Sequence, residues 1–274
     1  MGGGTVTWSG AGGTAMGSGG GLPLSGRRIL VTRRAEQASD LTRRLRDYGA
    51  SVVEVPMIRI GPPTDLDAPR RALEGFGGYD YVVFTSVNAV AAVKMLADKM
   101  GIDLGGEGPV VFAVGPTTAA AVEGAGLNAE ALGEEFTADG LVRALENRPM
   151  SERRVLVPRS EVGGDLLPTA LRRRGAHVDD VAVYITVPDP GAPRRLAEVL
   201  QELDVVTFAS GSSVAGFGAA VPPDWERPPD LHVAVIGPAA ASAATVAGLE
   251  PDIVASEHTS RGLADAIAAY FQRR

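Results

Sequence analysis

Cysteine is absent from the 274 residues, which excludes disulfides, thiolate metal sites and a cysteine nucleophile. That absence is compatible with the cytosol, and a cytoplasmic protein is the expectation. Histidine is scarce: His177, His232 and His258 are scattered, lack a metal-binding spacing and read as surface or strand-edge residues. No apolar run approaches the roughly 20 residues needed to span a bilayer, so no membrane partner is expected. Basic residues are outnumbered, and a net charge of -7 argues against sequence-independent nucleic-acid binding, which needs a basic face. It weighs less against a small anion, because helix dipoles and a few arginines override the global field locally.

What is present is a repeated strand-turn-helix unit. Val110 to Val114 is a short apolar run with the length of a buried strand. Gly115-Pro116 turns the chain, Thr117-Thr118 sit where a helix begins, and Gly124-Ala125-Gly126 stops it. The helix start leaves unpaired N–H groups and a positive dipole end, both favourable to anions. His232 to Ala241 repeats the pattern, with Gly237 standing 122 positions after Gly115. Phe84-Thr85-Ser86 matches Phe208-Ala209-Ser210, and Arg28–Arg33 matches Arg154–Arg159. Phe136–Leu141 likewise matches His258–Leu263. The matches keep their order, so the chain is a duplicated α/β unit.

Residues 1–25 are rich in glycine, serine and threonine and read as a disordered tail. Their formal dinucleotide pattern, Gly10–Ala15, lacks a strand before it and a helix after it, and the tail lacks the apolar core of a signal peptide. A helix is expected from about Glu36 to Tyr48, then one long strand over Val52–Ile60. Strands and helices alternate from there, including a helix over Ala138–Asn147 and breaks at Gly61-Pro62-Pro63 and Pro188–Gly191. This alternation predicts parallel sheets covered by helices on both faces.

In such sheets ligands bind at the carboxyl ends of strands. Those ends carry Arg33, Thr85, Ser86, Gly115, Thr117, Thr118, Arg159, Ser160, Ser210, Gly211 and Gly237. They lack an acidic cluster, a P-loop, a Ser-His-Asp set and a carboxylate pair. Hydroxyls, glycines and two arginines suit holding carboxylates or phosphates more than attacking a bond. A plainer account stands beside each: Ser86 and Ser210 are ordinary helix caps, Thr117 and Thr118 close a helix start, and Arg33 and Arg159 form surface ion pairs. Repetition at equivalent strand tips favours the binding account.

These residues resemble the uroporphyrinogen-III synthase family, over about Arg27 to Arg274. The carriers are Phe84–Val90, Ala113–Ala119, Val155–Ser160, Leu167–Gly175, Val183–Thr186, Thr207–Ser210 and Ile236–Pro238 in that order. The resemblance implies an α/β fold of two flavodoxin-like parallel-sheet domains joined by a two-stranded β-ladder hinge, with hinge strands near 57–60 and 184–187. One domain would be discontinuous, residues 27–58 plus 187–274, and the other would be the inserted segment 61–185. Periodicity alone would cut the chain near Ser151.

The resemblance also implies the reaction. The linear tetrapyrrole hydroxymethylbilane, with an acetate and a propionate on each pyrrole, is closed to uroporphyrinogen III with loss of water and inversion of the last ring. No cofactor and no metal is implied. The partner is this small-molecule substrate, handed over from hydroxymethylbilane synthase, and a monomer is the default. Tyr184 matches the tyrosine proposed to assist hydroxyl departure, against a plainer role packing beside the hinge. Thr85, Ser86, Thr118 and Ser210 match positions lining a cleft, and substrate folding between the domains would select the product. Ala239-Ala240 replaces a hydroxyl residue common in relatives, leaving fewer side-chain donors there. The rival readings are a two-domain anion-binding protein and a tetrapyrrole sensor without turnover.

Overall fold

Short apolar runs become strands here because both of their faces are covered. In chain order the strands are β1 (Arg28–Val31), β2 (Ser51–Glu54), β3 (Ile58–Gly61), β4 (Tyr81–Phe84), β5 (Val110–Val114), β6 (Ala129–Leu132), β7 (Arg154–Ser160), β8 (His177–Pro188), β9 (Val205–Phe208), β10 (His232–Val235) and β11 (Ile253–Val254). The computed structural model describes residues 21–106, 108–132, 140 and 143–273. The Gly10–Ala15 pattern lies outside these residues, as do most of the Phe136–Leu141 repeat segment and the start of the helix expected over 138–147.

The chain divides into two units, one running up to Pro56 and resuming at Arg194–Arg274, the other Met57–Pro193. The first holds a parallel sheet in the order β11-β10-β9-β1-β2. Numbered along its own chain this is 2-1-3-4-5 read from the far edge, the flavodoxin-like order. The second holds β3-β8-β7-β4-β5-β6, parallel except for β3, which runs antiparallel to β8. Each unit takes strands from both sequence repeats. The spatial division therefore cuts across the duplication.

Alternation along the strands builds two packed layers per sheet. In the second unit Val82, Phe84, Val111, Ala113 and Leu156 join one core with Val90, Val93 and Val122 from the covering helices. Tyr81, Val83, Phe112, Val155 and Val157 join the opposite core with Leu167 and Leu171. In the first unit Ile29 and Val31 pack with Leu41, Leu45, Leu263 and Ile267. Burying a side chain of this size contributes about 1.5–3 kcal/mol.

Two expectations are corrected. Leu24, assigned by composition to the tail, is fully buried in the first unit's core, and its N–H bonds the Tyr48 carbonyl at 2.9 Å. The turn at residues 23–26 brings one apolar side chain back onto the sheet, which is enough to order the segment. The single strand expected over Val52–Ile60 is two strands, β2 and β3, in different sheets. Val55 still donates to Val31, but Pro56 has no N–H, and Met57 already accepts from Asp189 across the β3–β8 edge. Proline ends one ladder and the next begins beyond it.

The duplication also repeats a pin at the amino ends of the sheets. The Asp204 carboxylate accepts from the Arg28 N–H at 2.7 Å and from Arg27 Nη1 at 2.8 Å. Asp80 does the same with the Arg154 N–H at 2.8 Å and Arg153 Nη1 at 2.6 Å. The bond from Arg154, followed by that from Arg153, holds the Asp80 carboxyl below its ordinary pKa. Each pin joins a strand of one repeat to a strand of the other.

Candidate active site

At the carboxyl ends of the second unit's strands, a bulge turns a tyrosine onto a serine. Arg159 pairs with Ala182 but Ser160 pairs with Tyr184, so Val183 is an extra residue in β8. Such a bulge puts two successive side chains on one face. Val183 and Tyr184 both enter the core beneath the Val87–Met100 helix. Tyr184 is 7% exposed, and its hydroxyl lies 3.3 Å from Ser86 Oγ. Ser86 has extended backbone and caps that helix by accepting the Ala89 N–H at 3.1 Å. Capping alone therefore does not exhaust its contacts.

The neighbouring tips differ in what they offer. Thr85 is exposed. Gly115 adopts φ 79°, where a side chain is strained, and Pro116 opens the Pro116–Gly124 helix behind it. Thr117 is exposed, while Thr118 is buried in that helix's first turn. Ser160 Oγ is buried with no hydrogen-bond partner among the described residues. Arg159 is committed within the unit. Its Nε and Nη2 lie on the Asp180 carboxylate, and its Nη1 donates to the Ser160 and Gly163 carbonyls at 2.9 and 2.8 Å. Asp180 raises the Arg159 pKa, against a smaller opposing effect of burial.

In the first unit Arg33 is half-buried, and its Nη1 donates to Ser260 Oγ at 3.0 Å. Among the described residues no carboxylate pairs with it. Burial, then the neighbouring charge of Arg34, lowers its pKa. Ser210 caps the Gly211–Ala220 helix in a reciprocal box with Ser213 and meets Ser212 Oγ at 2.9 Å. A Cβ on Gly211 would stand 3.2 Å from Ala243 Cβ, so the small residue lets two helices approach. Gly237 has extended backbone, and a Cβ there would lie 2.7 Å from the His258 ring. The first unit's tips thus hold an arginine with no carboxylate partner among the described residues, where the second sets a phenol beside its capping serine.

Comparison with known proteins decides the family. The family model for uroporphyrinogen-III synthase HemD matches residues 39–265. The chain belongs to the uroporphyrinogen-III synthase family. It is 30% identical to the uroporphyrinogen-III synthase of Synechococcus elongatus, over 89% of this chain and 96% of that protein. With the synthase of Chlorobaculum parvum it shares 28% identity, over 88% and 98% respectively. A crystal structure of a mutant synthase from Thermus thermophilus superposes with a TM-score of 0.59 at 21% identity, covering 90% of this chain and all of that one. The synthetase structure from Helicobacter pylori gives 0.57 at 16% identity, covering 90% and 99%. These two structures support the two-domain α/β fold.

Within this synthase-family chain, several contacts at the tips had no signal in the sequence. Ser260 stands far from Arg33 in the chain and appears in the pattern only as part of a repeat match. His258 is exposed, in keeping with a surface histidine, yet its ring covers the Gly237 turn. Thr32 and Thr207 are buried and exchange bonds across β1 and β9, Thr32 Oγ1 to the Thr207 carbonyl at 2.6 Å and Thr207 Oγ1 to the Leu30 carbonyl at 2.9 Å. That exchange fixes the root of the Arg33 tip. No helix among the described residues is long and apolar enough to cross a membrane.

Proposed function

We propose that the protein closes hydroxymethylbilane to uroporphyrinogen III with loss of water and inversion of the last pyrrole. The observation that carries this reading is family membership across residues 39–265. The terminal hydroxyl leaves first. As its C–O bond breaks it takes up a proton and departs as water, while a pyrrole N–H gives up the balancing proton to leave an azafulvene. The substituted carbon of the last ring then attacks, and the resulting spiro-pyrrolenine fragments and recloses. Tyr184 is assigned to the first step, its phenol donating to the departing oxygen.

The remaining residues are assigned to holding carboxylates. A carboxylate at a helix N-terminus gains about 0.3–1 kcal/mol. Several such contacts supply part of the roughly 8 kcal/mol that micromolar binding requires. Gly115, Thr117, Thr118, Thr85 and Ser160 would serve in one unit, and Ser210, Gly211 and Gly237 in the other. Arg33 adds the cation, supported by its lack of a carboxylate partner among the described residues. Arg159 is given a bracing role because Asp180 and two carbonyls occupy its donors. Holding a flexible tetrapyrrole at many points also lowers the entropic barrier to closure. The reading has the protein act in the cytoplasm as a monomer that receives hydroxymethylbilane from its synthase.

Product isomer analysis tests the reaction. Hydroxymethylbilane is generated in place by its synthase from porphobilinogen, with and without this protein, and the oxidised uroporphyrins are separated by chromatography. A shift from the spontaneous type I isomer to type III is expected. Type I alone in the presence of folded protein would overturn the proposal in favour of a binding or sensing role.

A further inference from the structure

We propose that Ser86 is a positioning residue that aims the Tyr184 proton at the departing hydroxyl, an inference that rests on the reaction and the Tyr184 assignment above. A serine hydroxyl has one proton and two acceptor sites, and a phenol O–H rotates to whichever acceptor suits it. One acceptor site of Ser86 is filled by the Ala89 N–H at 3.1 Å. Among the described residues the other polar group in reach is the Tyr184 hydroxyl at 3.3 Å, where either oxygen is able to donate. The polarity of this one contact decides where the phenol proton points.

Two effects favour Ser86 as the donor. An oxygen that accepts a hydrogen bond becomes a better donor through its own O–H. The positive end of the Val87–Met100 helix stands directly behind Ser86 and opposes bringing a further proton onto its oxygen. The chain then runs one way, from Ala89 N–H to Ser86 Oγ, and from the Ser86 proton to the phenol oxygen. With its oxygen occupied as acceptor, Tyr184 turns its own proton away from Ser86. The reverse polarity would spend that proton on Ser86 and leave the phenol without a donor for the leaving group. At 3.3 Å the contact is long for two hydroxyls, as catalytic contacts often are before substrate arrives.

The other unit supplies an internal control. Ser210 caps its helix in the same way, accepting the Ser213 N–H at 3.2 Å, but its hydroxyl meets Ser212 at 2.9 Å and, among the described residues, no phenol. The Val183 bulge that brings Tyr184 to its cap has no counterpart in the first unit's β1–β2 pair, which stays in register throughout. Capping is common to both serines; orienting a phenol belongs to Ser86.

A double-mutant cycle on the full chain tests this, with kcat and KM for type III product measured for wild type, Ser86→Ala, Tyr184→Phe and the double variant. Tyr184→Phe is expected to lower kcat about a hundredfold. Ser86→Ala is expected to lower kcat about tenfold, the scale of one lost hydrogen bond at a reacting group, with KM changed less than about twofold. Ser86→Thr, which keeps the hydroxyl, restores kcat. In the Tyr184→Phe background Ser86→Ala adds no further loss of kcat. Equal losses in both backgrounds would reduce Ser86 to a cap and overturn the inference, as would wild-type kcat in Ser86→Ala beside an impaired Tyr184→Phe. Wild-type kcat in Tyr184→Phe would instead overturn the assignment of Tyr184. If the alanine variant fails to fold, Ser86→Gly retains most of the capping and gives the same readout.

Discussion

Arg33 and Arg159 occupy the same place in two copies of one design, and they do different things. Each stands two residues beyond a valine paired in register with an acidic residue, Val31 with Glu54 and Val157 with Asp180. In the second unit Asp180 reaches the arginine and holds it. In the first unit Glu54 accepts from Thr42 Oγ1 at 2.7 Å instead, and Arg33 is left with a serine. The shorter carboxylate reaches across to the arginine of the neighbouring strand, whereas the longer one leans back to the covering helix. One copy of a duplicated position braces the fold, and the other is the one proposed to meet a substrate carboxylate.

The largest expected effect is on the brace. Asp180→Ala leaves Arg159 unpaired in a site where the two side chains are only 21% and 15% exposed. A loss of about 2–3 kcal/mol is expected, below the cost of breaking a fully buried pair. Glu54→Ala should cost about 1 kcal/mol, the value of its bond to Thr42. Urea unfolding of the two variants checks this, and equal losses would erase the distinction between the units.

The glycine turns sharpen the comparison at a smaller scale. Gly115→Ala forces a side chain into φ 79° and should cost about 1–2 kcal/mol. Gly237 has ordinary extended backbone, and the obstacle is an exposed histidine ring that is able to swing aside. Gly237→Ala should therefore cost less, and His258→Ala should remove the remainder in the double variant. Thermal unfolding of the four proteins separates backbone strain from a side-chain clash.

The smallest effect concerns the amino-end pin. The folded pKa of Asp80 lies below its ordinary value of 3.8. Its stabilisation is thus fully present above that value and is lost as pH falls through the depressed folded pKa. Asp80→Asn should flatten the acid limb of thermal stability between about pH 5 and 2 and change little at neutral pH. An unchanged acid limb would mean that the pin contributes nothing.

Much of this arrangement was legible in the chain. Short apolar runs ending in Gly115-Pro116, Gly237-Pro238, Ser86 or Ser210 marked the strand tips, because strand, turn and cap chemistry are local. The split at Pro56 was not, since valine, methionine and isoleucine continue on both sides and only the bonds to Val31 and Asp189 reveal two sheets. Leu24 was missed because a single apolar residue carries no periodicity. The roles of Arg33 and Arg159 were hidden for a stricter reason. Each has an acidic residue 21 positions later, so sequence spacing is identical and only the side chain's destination differs.

The most direct test of that division compares Arg33→Met and Arg159→Met, which keep the apolar stems, in one set of kinetic and unfolding measurements. Arg33→Met should raise KM for hydroxymethylbilane about tenfold, the loss of a charged hydrogen bond, with stability unchanged. Arg159→Met should lower stability by about 2 kcal/mol by stranding Asp180, with KM unchanged. This crossed pattern is the predicted result. Two variants that shift KM and stability alike would contradict the account.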